Sequence, residues 1–470
     1  MKRWLGAALD YLPRWLEHQM RVSEQPGCAI AVAHDGKLVL EQAFGHANLA
    51  QRTVLTPQHR FRVASHSKTF TTVAIMKLRE AGRLQLDDRI GRHVSGLHRD
   101  VAAGTLTQLL SHTAGLVRDG TDAGQWHDRR PFLDEAELRA DLADGLVIDA
   151  NARLKYSNHG YGLLGLAIEA VTGEPYGAWM QREIIAPAGL EATSPDAPIA
   201  PALPFANGHS AKWPLGRRVV IAGDNPTNAL ASATGFVSTA GDLARFFGSL
   251  SPTAKRGVIG KASRRLMWHR QWPDPYSSLN RWYGLGTMCG SVADWEWFGH
   301  TGGFQGTLTR TACVPAQGLT VTVLTNAADG LSNAWVDGAL QVLRAHAVHG
   351  APSKRAAAWS GRWWTLWGAN DLLPMDGKVL VANPALANPL LDATEFTPDS
   401  RERGRITLAG AFGNHGETVR LRHDARGTAS EFWLGGTKML PERRVAKELS
   451  AREGRSADGS PDGAAADVDV

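Results

Sequence analysis

The sequence predicts an α/β domain, in which an antiparallel sheet flanked by helices carries an inserted helical lobe, followed by a small C-terminal β-barrel-like domain. Three features predict it. Strand patterns stand near both ends of the first 350 residues with helical periodicity between them, a turn-rich polar break falls at residues 350–353, and the pattern beyond that break is β alone.

The chain opens with Met1-Lys2-Arg3 and an apolar stretch interrupted by Asp10 and Arg14, which lacks a signal-peptide core. Leu5, Leu9, Leu12 and Leu16 recur at helical spacing, so an amphipathic helix with a kink at Pro13 is expected. CAIAVAH and KLVLEQAF read as two strands joined by an Asp35-Gly36 hairpin turn. Residues 65–82 read as a helix, because Phe70, Val73, Ala74 and Leu78 share one apolar face and Gly82 supplies a stop. Short helical patterns and turns fill residues 84–189, including a helix over 161–171 that ends at Gly173. In STAGDLARFF, Thr239 precedes Asp242 by three residues and opens another helix. Strand patterns return at residues 294–298 and in LTVTVLTN, and a last helix over 331–346 carries Trp335, Ala339, Leu340 and Leu343.

Beyond the break, strand-like pieces fall near residues 361–367, 378–382, 405–409, 418–422 and 431–434. The domain expectation is therefore a catalytic domain over 1–350, a β-rich accessory domain over 355–446 and a disordered tail over 451–470, whose Ala, Gly, Asp and Ser have little to bury.

Composition narrows the function classes. With 470 residues, 43% hydrophobic and 21% charged, the chain is globular and large enough for two or three domains. A net charge of +5 without a long basic run argues against nucleic acid as a partner. Cys28, Cys289 and Cys313 are too few and too scattered for a disulfide framework or a zinc site, which fits a reducing compartment. No apolar run reaches the ~18 residues of a membrane span, so no membrane partner and a cytoplasmic location are expected.

Three strings carry chemistry. Ser65-His66-Ser67-Lys68 stands at a predicted helix start, where a spacing of three puts hydroxyl and amine one turn apart on one face. Helix onset also leaves unpaired backbone N–H groups beside Ser65 that can bind a developing oxyanion. By itself such a string also occurs on solvated helix surfaces. Tyr156-Ser157-Asn158 supplies a phenol able to shuttle a proton and an amide able to hold a substrate carbonyl or the lysine. The same residues can cap the helix that follows. His300-Thr301-Gly302-Gly303 follows an aromatic strand, and its glycines either let a ligand approach the backbone or make a simple turn.

In this order the strings resemble the motifs of the serine β-lactamases and penicillin-binding proteins: a Ser-x-x-Lys helix start, a Ser- or Tyr-containing motif on the helical lobe and a Lys-Thr-Gly-like strand. The Tyr-x-Asn form is similar to the class C β-lactamase-like branch, which includes DD-carboxypeptidases, D-aminopeptidases and esterases. FRVASHSKTFT, LLSHTAGL at 109–116 and GFVSTAGDLARF at 235–246 resemble that branch too, over roughly residues 20–346. The resemblance implies a β-lactamase/DD-peptidase-like fold with Ser65 as nucleophile and Lys68 with Tyr156 as shared general base. It puts Asn158, His300, Thr301, Gly302 and Gly303 on the substrate and the backbone N–H groups of Ser65 and Gly303 in the oxyanion hole. His112 in LLSHTAGL is then part of a structural turn.

His300 stands where the third motif often has lysine, and a side chain of reference pKa about 6.5 recognises an anionic carboxylate less well at neutral pH. If its imidazolium does anchor a carboxylate, acidic substrates gain as pH falls. The β-rich end resembles lipocalin-like accessory domains of this branch. Trp359, Trp363, Trp364 and Trp367 are expected to fill its core, the alternative being a contact with the catalytic domain or a substrate channel.

The expected function is a serine hydrolase cleaving a small ester or amide, either a D-amino-acid amide or peptide or a carboxylic ester, through a Ser65 acyl-enzyme. No metal or organic cofactor is expected, and the partner is a small-molecule ester, amide or short peptide. Cell-wall peptide ranks lower on the expectation that a chain without a leader does not meet the periplasm. An acyltransferase using the same acyl-enzyme and a catalytically silent binding protein of the same fold are the alternatives. Oligomeric state is open.

Overall fold

A computed structural model of the chain describes residues 2–213, 215–274, 277, 280–410 and 413–457. It divides into two compact units, one of Met20–Leu340 and one that joins Met1–Gln19 to the chain from Gln341 onward.

The larger unit is built on a nine-stranded antiparallel sheet. From edge to edge its strands are Thr53–Val54, Lys37–Asn48, Gly27–His34, Leu319–Thr325, Thr307–Val314, Trp295–Phe304, Met288–Val292, Arg281–Tyr283 and Trp272–Pro273. The first hairpin forms as expected, because Asp35 (φ 50°) and Gly36 (φ 78°) both take the left-handed conformation of a two-residue turn. Leu319–Thr325 is buried throughout and pairs with Gly27–His34 in the register Cys28 to Thr325, so distant parts of the chain meet inside the sheet. The helical residues lie between these strands in sequence, as an insertion.

Thr239 caps the helix Ala240–Ser249 by accepting from the Asp242 N–H, and that helix packs on the central strands. The helix His66–Glu80 is buried on nearly every side rather than on one apolar face alone. Phe70 stacks between Phe236 and Phe246, with ring centroids 4.3 and 3.8 Å away. The polar side survives burial because each hydroxyl finds an acceptor: Thr69 on the Gly286 carbonyl, Thr71 on that of Ser232, Thr72 on that of Lys68.

In the smaller unit eight strands follow one another as an antiparallel meander from Gly361–Thr365 to Thr437–Met439. Trp364 and Leu440 exchange backbone hydrogen bonds of 2.8 and 2.9 Å, which draws the first strand toward the last into a nearly closed barrel. Trp359, Trp363, Phe396 and Phe432 fill its interior. Two of the four tryptophans thus serve the core as expected, whereas Trp367 is 95% exposed at a hairpin tip.

The N-terminal helix, Arg3–Val22, contributes its first seventeen residues to this unit and not to the catalytic unit expected over 1–350. Trp15 Nε1 donates to the Leu386 carbonyl at 3.3 Å, and Gln19 Nε2 to that of Pro384 at 2.6 Å. A helix Glu442–Ala457 runs into the stretch expected to be disordered over 451–470; residues 458–470 lie outside those described. Cys28, Cys289 and Cys313 are free and buried. No helix among the described residues is long and apolar enough to cross a membrane.

Candidate active site

Ser65 stands at the N-terminal boundary of the helix His66–Glu80 without a side-chain capping bond, and the residue before it, Ala64, takes the left-handed conformation (φ 48°) that turns the chain sharply into the helix. One turn on, Lys68 is wholly buried. Its Nζ lies 3.2 Å from Ser65 Oγ, 2.6 Å from Asn158 Oδ1 and 2.9 Å from the Ala233 carbonyl oxygen. The Tyr156 hydroxyl donates to Ser65 Oγ at 3.0 Å. Two strings 90 residues apart in sequence therefore converge on one hydroxyl.

Burial pushes the Lys68 ammonium well below the lysine range; the Asp119 carboxylate opposes that shift and Arg118 adds to it. Burial pushes the Tyr156 phenol up, against its hydrogen bond to Ser65. A neutral lysine has two N–H donors and one lone pair. The Ala233 carbonyl and Asn158 Oδ1 can only accept, so they take both N–H groups and leave the lone pair aimed at Ser65 Oγ. That arrangement can draw a proton from the serine.

Tyr156-Ser157-Asn158 is both cap and site. Ser157 accepts from the Gly160 N–H at the start of the helix Asn158–Thr172 and donates to the Val117 carbonyl at 2.6 Å. In LLSHTAGL, Leu109 and Leu110 end the helix Leu106–Leu110, and the expected turn follows from Ser111. His112 sits at φ 60°, its carbonyl accepts from the Lys155 N–H at 2.7 Å, and its Nδ1 accepts from the Ser157 N–H at 3.1 Å. Through these bonds the turn holds both flanks of Tyr156.

His300-Thr301-Gly302-Gly303 lies inside the strand Trp295–Phe304, paired with Thr307–Val314, and is not a turn. The His300 imidazole is 2% exposed and fully engaged. Its Nδ1 sits 2.6 Å from the Thr301 carbonyl, which can only accept, so that nitrogen carries a proton; Nε2 lies 2.9 Å from the Tyr283 hydroxyl, from which the neutral ring accepts. Burial, with the neighbouring His66 and Lys68 adding to it, holds the ring well below the ordinary histidine range. A neutral, saturated ring does not meet the expectation of a carboxylate anchor.

The two glycines differ. A Cβ on Gly302 would lie 2.2 Å from the Val63 carbonyl oxygen and 2.4 Å from Thr309 Oγ1, so this glycine lets the strand approach the chain just before Ser65. Gly303 instead faces a cavity of about 410 Å³ that Ser65, Tyr156, Asn158, His300 and Thr301 also line. Gly302 is not among the lining residues, contrary to its expected place on the substrate. Trp126, Trp282 and Tyr283 give this cavity aromatic walls, and Arg118, Asp274 and Arg281 give it charge.

Sequence reading gave no individual role to Asp119, Trp126, Ala233 or Tyr283. Asp119 falls three residues after LLSHTAGL, but no periodicity or spacing marks it.

A serine–lysine–tyrosine group at a helix start beside a sheet strand, with the lysine wholly buried and the other two open to a cavity, is the arrangement of the serine β-lactamase and penicillin-binding-protein class. The chain belongs to the Beta-lactamase family, whose model matches residues 12–345. Protein flp of Staphylococcus aureus (strain COL) is 30% identical over 186 residues, covering 38% of this chain and 36% of that protein. The match thus spans little more than a third of that relative. Among solved structures, an octameric penicillin-binding protein homologue from Pyrococcus abyssi is similar at TM-score 0.65 and 20% identity, over 92% of this chain and 99% of that one. A D-stereospecific amidohydrolase from Streptomyces sp. is similar at TM-score 0.57 and 25% identity, over 68% of this chain and 94% of that one.

Proposed function

We propose that the chain is a serine hydrolase that cleaves a small ester or amide through an acyl-enzyme on Ser65. The single observation that carries this reading is the convergence on Ser65 Oγ of a wholly buried Lys68 Nζ at 3.2 Å and the Tyr156 hydroxyl at 3.0 Å. In the first step Lys68 takes the serine proton while Oγ bonds to the substrate carbonyl carbon. The Tyr156 phenol, kept protonated by burial, passes a proton to the leaving group as the bond to the carbonyl breaks. Lys68 then returns the proton it took to Tyr156, which restores both groups. In the second half the same base takes a proton from water as its oxygen bonds to the acyl carbon, and that proton passes to Ser65 Oγ as the acid leaves. The resemblance assigns the backbone N–H groups of Ser65 and Gly303 to the developing oxyanion, and each such donor would contribute about 2.7–4 kcal/mol.

Aromatic walls with scattered charge suit an acyl group that pairs an apolar side chain with one polar substituent. Together with the likeness to a D-stereospecific amidohydrolase, this favours D-amino-acid amides and esters as substrates. The test is labelling with a fluorophosphonate followed by peptide mapping, alongside turnover of paired D- and L-amino-acid amides and aryl esters. The label is expected on Ser65. Ser65→Ala should lower turnover by roughly four to six orders of magnitude, with Lys68→Ala nearly as damaging. A label on Ser67 or Ser157 with Ser65 untouched overturns the assignment, and equal rates for both enantiomers overturn the substrate reading alone.

A further inference from the structure

Lys68 can serve as a base only while both of its fixed partners accept. The Ala233 carbonyl belongs to the backbone and cannot do otherwise. The Asn158 amide can turn over, and turned over it would point an N–H at the lysine lone pair and occupy it.

What prevents this lies one residue deeper. Asp119 is 8% exposed, and its Oδ1 accepts from Asn158 Nδ2 at 2.5 Å and from Trp126 Nε1 at 3.0 Å. Arg118 Nε stands 3.4 Å from Oδ2. A carboxylate has no proton to donate, so Asn158 can present only its NH₂ to Asp119 and therefore only its carbonyl to Lys68. The same contact fixes Trp126, a wall of the cavity.

We infer that Asp119 is a positioning residue of the acylation step: by accepting from Asn158 Nδ2 it holds that amide with its oxygen on Lys68, keeps the lysine lone pair on Ser65, and supplies the negative charge of that cluster. The inference rests on the Ser65 acyl-enzyme reading. Besides Asp119 and Arg118, the groups that face Lys68 are the rings of Tyr156 and Tyr161, at 4.8 and 5.5 Å, with His112 and His300 close enough to feel its charge. Asp119 is the one carboxylate in that set.

Orientation and charge can be separated. In Asp119→Asn the amide oxygen can take both bonds that Oδ1 now accepts, so orientation is kept and only the charge is lost. In Asp119→Leu both are lost. The experiment measures kcat/KM for a neutral aryl ester against pH, with the fluorophosphonate labelling rate and the thermal midpoint of each variant. Without the carboxylate Lys68 deprotonates more easily, so Asp119→Asn should carry the acid limb about one pH unit lower and lose no more than about tenfold on the plateau. Asp119→Leu should lose roughly a hundredfold or more on the plateau, the scale of a misplaced general base. An unmoved limb in Asp119→Asn overturns the charge role, and a folded Asp119→Leu within about threefold of the parent overturns the orienting role. If the leucine variant does not fold, the limb of the asparagine variant decides. A parent that fails to label at Ser65 sinks the acyl-enzyme reading itself, and a labelled parent with indifferent variants sinks only the role of Asp119.

Discussion

Burial acts in opposite directions on neighbouring residues of the site: it drives Lys68 toward the neutral amine and Tyr156 toward the protonated phenol, because the charged form of each is the one that loses water. In the proposed reading this gives the serine a base in Lys68 and an acid in Tyr156, where the resemblance implied a shared base. His300 obeys the same rule. Since its ring stays neutral, the ratio of kcat/KM for a matched acidic and neutral ester should stay flat between about pH 8 and pH 5.5. A ratio that climbs as pH falls would restore the carboxylate anchor. His66 gives a stability prediction. Burial lowers it to about 4 while its Nδ1 lies 3.0 Å from the Val63 carbonyl. The unfolded chain takes up this proton near pH 6.5 and the folded chain refuses it, so the contribution is whole above about pH 6.5. It is lost as pH falls toward about 4, by up to about 3 kcal/mol. Urea unfolding at about pH 7.5 and pH 5 should show a smaller loss in His66→Gln than in the parent, and equal losses would refute the assignment.

Among the elements, the strand Trp295–Phe304 decides the site's width. Its string could be read as a turn because Gly-Gly is a common turn signal; it is a strand because Gly302 lets it lie against Val63 while His300 and Thr301 keep pairing with Thr311 and Arg310. Gly302→Ala must displace either the strand or the turn before Ser65, and should destabilise by about 1–3 kcal/mol as overpacking does. Gly303→Ala meets only Leu308 Cδ2, at 3.3 Å, and should hold its thermal midpoint while narrowing the cavity. Equal midpoints for the two variants would contradict this division. Other elements were hidden for a different reason. Gly368–Met375 contains Asn370, Asp371 and Pro374, residues poor in strands. It holds because Asp371 accepts from Arg362 at 2.7 and 2.8 Å directly across the strand pair.

For the whole molecule, chain order and cooperative unit part company. Residues 1–19 belong by contact with a barrel that begins more than three hundred residues later, tied to it by the bonds of Trp15 to Leu386 and of Gln19 to Pro384. Amide exchange of residues 5–19 should therefore show the same opening free energy as strands within 361–440, and Trp15→Ala should lower both together by about 3–5 kcal/mol. Protection of residues 5–19 that follows the His66–Glu80 helix instead would assign them to the larger unit.

The sequence by itself determined the periodic and local features: the hairpin at Asp35-Gly36, the helix that begins after Ser65, the cap at Thr239, the change to β pattern after residue 350, and the order of the three strings. Each depends on neighbours a few residues apart, which backbone geometry forces together. The tertiary structure alone decided whether Asn158 faces Lys68 by its oxygen, whether His300 carries a charge, which glycine meets the cavity and where the first helix docks. Those outcomes depend on burial and on partners tens to hundreds of residues away, Asp119, Tyr283, Val63 and Leu386 among them. No local pattern encodes which polar atom will be left to satisfy once the core has closed.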